Sequence, residues 1–389
     1  MRRLMNTSLP EPSDDAKAAS AALVLRIAAE IRAADGWISF ARYMELALYS
    51  PGLGYYAGGS EKFGEAGDFV TAPELTPLFG HALAVQIAQV MRASAPEVLE
   101  AGAGSGHLAA DLLIALNALG CPAQRYRILE LSGELSARQR ETIATRAPQF
   151  LSQIEWLDSL PDKISGCVVG NELLDAMPNH AVVWRSEGLM ECGITLDDSD
   201  AFMLSERPAG EALQKAARKL PVVATYRSEI ALAARAWTAE LGRRLKQGAL
   251  LLIDYGLPRH EYYHPQRNGG TIRCHYRHRS HDEPFWYPGL SDITAHVDFT
   301  AIAEAGHDAG LDVLGYTSQA AFLMNCGIAD LLAQRKDEVD AATAARAGGA
   351  VNLLLSPNEM GELFKVIALG RGLREPLVGF SRGDRLHAL

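Results

Sequence analysis

No two cysteines of this chain stand close enough in sequence to form a metal clamp or a redox dithiol. Cys121, Cys167, Cys192, Cys274 and Cys326 are scattered singly. An odd number spread over 389 residues makes no disulfide framework and suits a reducing cytosol. Long apolar runs are missing too. No stretch approaches the roughly 20 apolar residues needed to span a bilayer. The basic start Met1-Arg2-Arg3-Leu4-Met5 leads into Pro10, Glu11, Pro12, Asp14 and Asp15, not into the apolar core of a signal peptide. Those early acids also count against a mitochondrial transit peptide, so a cytoplasmic protein without membrane insertion is expected. Excess positive charge is lacking: 37 Lys+Arg face 47 Asp+Glu, a net −10, which argues against bulk attraction to nucleic acid or anionic lipid. No internal repeat or low-complexity segment appears. With 48% apolar residues the chain has ordinary globular usage, which excludes wholesale disorder, collagen and coiled coil.

What is present is a change of texture along the chain. Residues 1–15 read as a disordered tail and 16–92 as an N-terminal helical segment. There Leu23, Ile27 and Ile31 recur at helical period, a second helix covers 40–48, and Ser50-Pro51-Gly52 stops it. Residues 51–77 form a Gly/Pro-rich loop carrying Tyr55, Tyr56, Phe63 and Phe69, and a loop with that many aromatics packs onto something. From 93 to 389 short apolar runs alternate with helical ones. Strands are expected at 97–100, 126–130, 154–156, 167–170 and 249–254, with an antiparallel pair at 311–316 and 363–369 closing the sheet. Continuous apolar strands between helices indicate an α/β protein whose mostly parallel sheet is covered on both faces. Two insertions break the rhythm. Residues 180–206 alternate apolar and polar, as an antiparallel meander does. Residues 256–297 have little period and are rich in Tyr, His, Arg, Gly and Pro, so they read as a lid or binding loop.

The most informative segment, residues 98–108, reads Val-Leu-Glu-Ala-Gly-Ala-Gly-Ser-Gly-His-Leu. A strand runs into Gly102, Gly104 and Gly106 and then into a helix, a turn that lets backbone approach a ligand at the helix N-terminus. Any strand–helix junction can use such a turn. A dinucleotide fingerprint needs glycine at 107, where His107 stands, and this disfavours an NAD-dependent oxidoreductase. Glu130 ends the next strand, where an acid can hold both hydroxyls of a ribose or simply lie solvated. On their own these residues support a Rossmann-like ligand site that prefers a ribose.

The run Glu100-Ala-Gly-Ala-Gly-Ser-Gly106 resembles the first motif of class I S-adenosylmethionine-dependent methyltransferases. More specifically, the chain from 43 to 369 resembles the MidA-like family, which includes a mitochondrial complex I assembly methyltransferase. Four further segments carry the resemblance: Gly-Asp-Phe-Val-Thr-Ala-Pro-Glu at 67–74, Asn-Glu-Leu-Leu-Asp-Ala-Met-Pro at 171–178, Asp-Tyr-Gly at 254–256, and Asp-Ile-Thr-Ala-His-Val-Asp-Phe at 292–299. Ala103 stands where the family often has Pro, a change that a turn tolerates. The resemblance implies a Rossmann-like seven-stranded methyltransferase sheet, with N-terminal helices, the inserted meander and the long lid loop around it. It also implies S-adenosylmethionine as methyl donor. For the mitochondrial relative it implies arginine dimethylation on a respiratory complex I subunit, so a protein partner is expected.

The candidate residues follow. Gly102, Gly104 and Gly106, with Glu100 before them, line the methionine side of the cofactor; Glu130 takes the ribose. Asp158 accepts from the adenine amino group or merely caps a turn before Pro161. The resemblance makes Gly67, Asp68, Phe69 and Thr71 part of a cofactor-covering loop, although Thr71 and Glu74 also suit a helix capping box. Asn171 joins the cofactor set. Glu172 and Asp175, three apart, would share a helix face and hold a guanidinium between them, or be acids favoured by a helix dipole. His296 is a substrate-site candidate, whereas Asp298 has the ordinary reading of an N-cap. Cys274, His275, His278 and His281 are zinc-type ligands, but Arg273, Arg277 and Arg279 repel a cation and no second cluster pairs with them, so no metal is expected. Three functions remain open: a protein-arginine methyltransferase, a methyltransferase of small molecules, and a non-catalytic adenosylmethionine-binding assembly chaperone.

Overall fold

The computed structural model describes residues 9–58 and 71–389. In the eight-stranded central sheet Val297–Asp298 pairs with the end of Leu245–Leu257 off the main path. The other seven strands follow the spatial order Asp312–Ser318, Phe364–Arg371, Leu245–Leu257, Ile164–Asn171, Glu97–Ala101, Arg125–Leu129, Ile154–Leu157. The last five run parallel to one another, and Phe364–Arg371 is antiparallel to both its neighbours. Alternate side chains of each strand feed two cores. Val98, Val169 and Leu251 join the helices Pro77–Ala93 and His107–Ala118 on one face. Leu99, Val168 and Leu250 join the helices Leu232–Arg244 and Phe299–Asp308 on the other. This two-sided burial is why the strands read as unbroken apolar runs. The sheet grows outward in both directions from Glu97–Ala101. A switch point therefore lies between that strand and Ile164–Asn171, and a crevice opens beyond their carboxyl ends.

The additions depart from expectation in places. The first helix, Asp14–Ala33, starts two residues inside the expected tail because Ser13 caps it, its hydroxyl accepting from the Ala16 amide at 3.3 Å. The meander, with strands His180–Arg185, Gly188–Leu196 and Phe202–Pro208, belongs to a five-stranded antiparallel sheet. Its remaining strands, Ile38–Ser39 and Tyr226–Ile230, come from outside the insertion. The stretch 256–297 is not a bare loop. Strands Arg279–His281, Arg273–Tyr276 and Asp292–Thr294 form a small sheet in that order. Cys274 and Ile293 are packed into a core with Leu23, Ile27 and Tyr43 of the N-terminal helices. Strands of three and four residues offer too few positions for alternation to show.

Candidate active site

The glycine turn is built by close approach. Gly102, Gly104 and Gly106 have φ of +68°, +52° and +86°, a region open to glycine. A Cβ at Gly102 would stand 2.9 Å from Leu173 Cδ1, and one at Gly106 3.0 Å from Gln139 Cα. Their duties therefore differ. Gly102 and Gly104 line the cavity beyond the sheet, while Gly106 starts the following helix against its neighbour Gly133–Arg146. Glu100, beneath the turn, accepts from the Tyr126 hydroxyl at 2.5 Å, and burial pushes its carboxyl up to about 7. Glu130 accepts from the Ser132 amide and from Gln139 Nε2, both at 2.9 Å, and burial raises its pKa. Gln139 is fully buried; it also donates to the Gly104 carbonyl at 3.1 Å and accepts from Trp156 Nε1 at 3.0 Å. One amide thus ties the glycine turn to the strand-end acid. Asp158 is apart from these groups. It is exposed, accepts from the Ser159 hydroxyl at 3.1 Å, and does not line the cavity.

Glu172 and Asp175 do reach one wall, though not on a helix face. Residues 172–178 form a loop in which Glu172 has φ +51°, and the expected helix is absent. The reason is Asp254, at the end of the neighbouring strand. Its Oδ2 accepts from the amides of Leu173, Leu174 and Asp175 at 3.1, 2.8 and 3.3 Å, so the backbone wraps a carboxylate. Glu172 Oε1 accepts from Asn171 Nδ2 at 3.0 Å and the Ala72 amide at 3.4 Å. Burial, with Asp175 nearby, pushes Glu172 up to about 8. Asp175 accepts the Tyr255 hydroxyl at Oδ2, and burial holds it at about 6. Among the described residues Asn171 Oδ1, Asp175 Oδ1 and His296 Nδ1 are buried without a hydrogen-bond partner. The His296 ring stands edge-on to Tyr255 at 5.4 Å, and burial beside Arg267 and Arg273 lowers its pKa to about 4. Asp298 is the N-cap of Phe299–Asp308, accepting from the Ala301 amide at 3.1 Å.

The cavity has a volume of about 1400 Å³. Thr71 lines it and does not form the capping box: its side chain makes no cap bond to the four-residue helix Ala72–Leu75. Gly67, Asp68 and Phe69 lie outside the described residues. The opposite wall comes from the N-terminal helices and the small sheet. Tyr49 stacks on Tyr56 at 5.5 Å and donates to the Ala176 carbonyl at 2.9 Å; Tyr56 donates to Asp292 at 2.9 Å. Among the described residues six carboxylates line the cavity (Glu45, Glu100, Glu130, Glu172, Asp175, Asp292) against two arginines. Arg42 is paired with Glu30 and Glu45, and Arg273 with Asp282. Tyr49, Gln139 and Tyr255 were not singled out in the sequence. Only Tyr255 had a signal, its place in the Asp-Tyr-Gly segment. Tyr49 and Gln139 read as ordinary helix positions.

The glycine turn, the strand-end Glu130 and the acidic lining fit a nucleoside that carries a positively charged sulfonium. Residues 82–317 match the family described as S-adenosyl-L-methionine-dependent methyltransferase. The chain belongs to that family. This methyltransferase is similar over nearly its whole length to a Burkholderia thailandensis protein whose crystal structure holds S-adenosyl-homocysteine. The two are 52% identical with a TM-score of 0.93, covering 98% of this chain and 100% of that one. It is also similar to "Protein arginine methyltransferase NDUFAF7, mitochondrial" of Mus musculus (30% identical; 86% of this chain, 81% of that one) and of Danio rerio (29%; 86% and 84%). S-adenosylmethionine is its cofactor. The mitochondrial names of the animal relatives overturn the expectation of a cytoplasmic protein. Scattered reduced cysteines fit any reducing compartment and could not separate the two. No helix among the described residues is long and apolar enough to cross a membrane.

Proposed function

We propose that this methyltransferase modifies arginine in a protein partner, as the names of its animal relatives say of them. The observation that carries the reading is a pair of buried acceptors that find no donor among the described residues, Asn171 Oδ1 and Asp175 Oδ1, on an acid-lined wall. A desolvated acceptor left alone costs about 1–3 kcal/mol. A guanidinium brings five N–H donors in a planar fork and a positive charge, which answers both the acceptors and the carboxylates. Gly102, Gly104 and Glu130 would hold the cofactor, with Thr71 beside them on the cavity lining. Bound S-adenosylmethionine supplies a methyl group on an electrophilic sulfonium.

Glu172 and Asp175 then fix the guanidinium so that one nitrogen faces that methyl, and in-line displacement depends mostly on such orientation. Tyr255 holds Asp175 at one oxygen and leaves the other for the substrate. The nitrogen that gains a methyl loses a proton; Glu172 is raised to about 8 in the free site, the bound guanidinium would favour its carboxylate form, and that carboxylate accepts the proton. His296 stays neutral and adds no opposing charge. The segment 16–92 and the insertions 180–206 and 256–297 together form the acceptor-side cover of the 93–389 core. A protein substrate would reach this cavity through an extended segment, so methylation would precede folding of the partner; a respiratory complex I subunit is the partner class of the resembled family.

Radiolabelled methyl transfer into arginine-bearing protein tests this. Glu172→Gln and Asp175→Asn should bind S-adenosyl-homocysteine with near-unchanged affinity and lose roughly two orders of magnitude in turnover. Wild-type rates in both variants, or label confined to small molecules, would overturn the reading.

A further inference from the structure

Glu229 is a buried carboxylate on the strand Tyr226–Ile230 of the inserted sheet, 3% exposed, and it touches neither cofactor turn nor acceptor acids. Its partners all belong to the stretch that precedes the small sheet. Oε1 and Oε2 each lie 3.0 Å from the Thr271 amide, Oε1 accepts from the Ile272 amide at 3.4 Å, and Oε2 lies 3.2 Å from both Thr271 Oγ1 and the Tyr262 hydroxyl. Thr271 is the link to the site. It lines the cavity, and its Oγ1 accepts from the His296 amide at 3.0 Å. The His296 ring stands edge-on to Tyr255, whose hydroxyl donates to Asp175, and the neighbouring Ala295 amide donates to the Asp175 carbonyl at 3.1 Å.

We propose that Glu229 and Thr271 are positioning residues that set His296, and through Tyr255 the acceptor carboxylate Asp175, in register with the substrate. The inference rests on the arginine-methylating reading of that site. A carboxylate saturated by four donors is a rigid anchor, more so than a loop held by its own backbone. The Thr271 hydroxyl passes that rigidity on, because it donates to Glu229 and accepts from His296 with fixed geometry. The inserted sheet thereby does more than cover the site: it fixes the wall against which the guanidinium is aligned.

Thr271→Val keeps the shape and removes the hydroxyl; Thr271→Ser keeps the hydroxyl. The initial rate of radiolabelled transfer into heat-unfolded lysate protein should fall about tenfold or more in Thr271→Val, as small misplacements at a reacting centre do. The effect should lie in kcat, with S-adenosyl-homocysteine affinity unchanged by calorimetry. Thr271→Ser should recover the rate to within about twofold. The imidazole NMR signals of His296 should move in the valine variant and hold in the serine variant. Glu229→Gln should act like Thr271→Val where it folds. A valine variant with wild-type kcat and unmoved His296 signals would overturn the proposal, as would a serine variant as slow as the valine one. Glu172→Gln run alongside keeps the two readings distinct: slow Glu172→Gln with fast Thr271→Val sinks only the positioning role, whereas wild-type rates in Glu172→Gln sink the acceptor site itself.

Discussion

At the scale of single residues the site stores unfavourable burial and uses it. Glu172 would ionise near 4.5 in the unfolded chain but is held protonated up to about 8 in the fold. Between those values the unfolded state binds fewer protons than the native one, so stability falls as pH rises through that window. Glu100, raised to about 7, and Asp175, raised to about 6, act with the same sign. Glu172→Gln removes the largest of these three titrations. Without cofactor or substrate, the variant should melt close to the wild type at pH 5 and above it at pH 8.5. Thermal unfolding at the two values checks this, and a gap that is larger at pH 5 would contradict it. The cationic acceptor proposed above would offset the same cost, so its binding should tighten as the carboxylates ionise.

Among the elements, the end of Leu245–Leu257 carries most of the organisation. Asp254 receives three successive amides of the 173–175 loop, and Tyr255, one residue on, holds Asp175 from the other side. One strand end therefore shapes a neighbouring loop and orients its acid. Asp254→Ala leaves those amides without their acceptor and should lower the unfolding free energy by about 2–4 kcal/mol, the loop's exposure to the cavity limiting the loss. Urea unfolding measures it. On the proposed assignment, which seats the cofactor at the Gly102–Gly104 turn of another strand, acceptor turnover should fall as well while S-adenosyl-homocysteine affinity should change little.

For the whole molecule, the small sheet within 256–297 changes what that region can do. Arg273–Tyr276 is its middle strand, paired on both sides, and Cys274 is packed against the N-terminal helices. A free lid would exchange its amide hydrogens quickly until ligand ordered it. Here the amides of Cys274 and Tyr276 should already exchange slowly in the unliganded protein. Replacing 273–281 by a Gly-Ser linker should accordingly lower the melting temperature, beyond any loss of methylation. Fast exchange at these amides in hydrogen-exchange mass spectrometry, slowed only by S-adenosyl-homocysteine, would restore the simple lid.

The mostly parallel sheet, seven of its eight strands and the glycine turn were legible from the sequence alone, because strands buried on both faces leave unbroken apolar runs and a turn of positive φ leaves glycines. The two-residue strand Val297–Asp298 is too short to leave a pattern. Glu130's place just past a strand end was legible for a similar reason, since that strand announces itself. The acceptor side was not. Glu172 and Asp175 were visible as acids, but a spacing of three suggested a helix, and the loop that joins them depends on a carboxylate some eighty residues away. Tyr49, Gln139, Glu229 and Thr271 carry no local pattern, for their roles arise from contacts between distant segments. Local periodicity and turn chemistry thus determined the scaffold and the cofactor's seat. Only tertiary packing, which joins the inserted sheets and N-terminal helices to the crevice, decided the acceptor wall, because the desolvation and hydrogen bonding that tune its acids exist only once those segments meet.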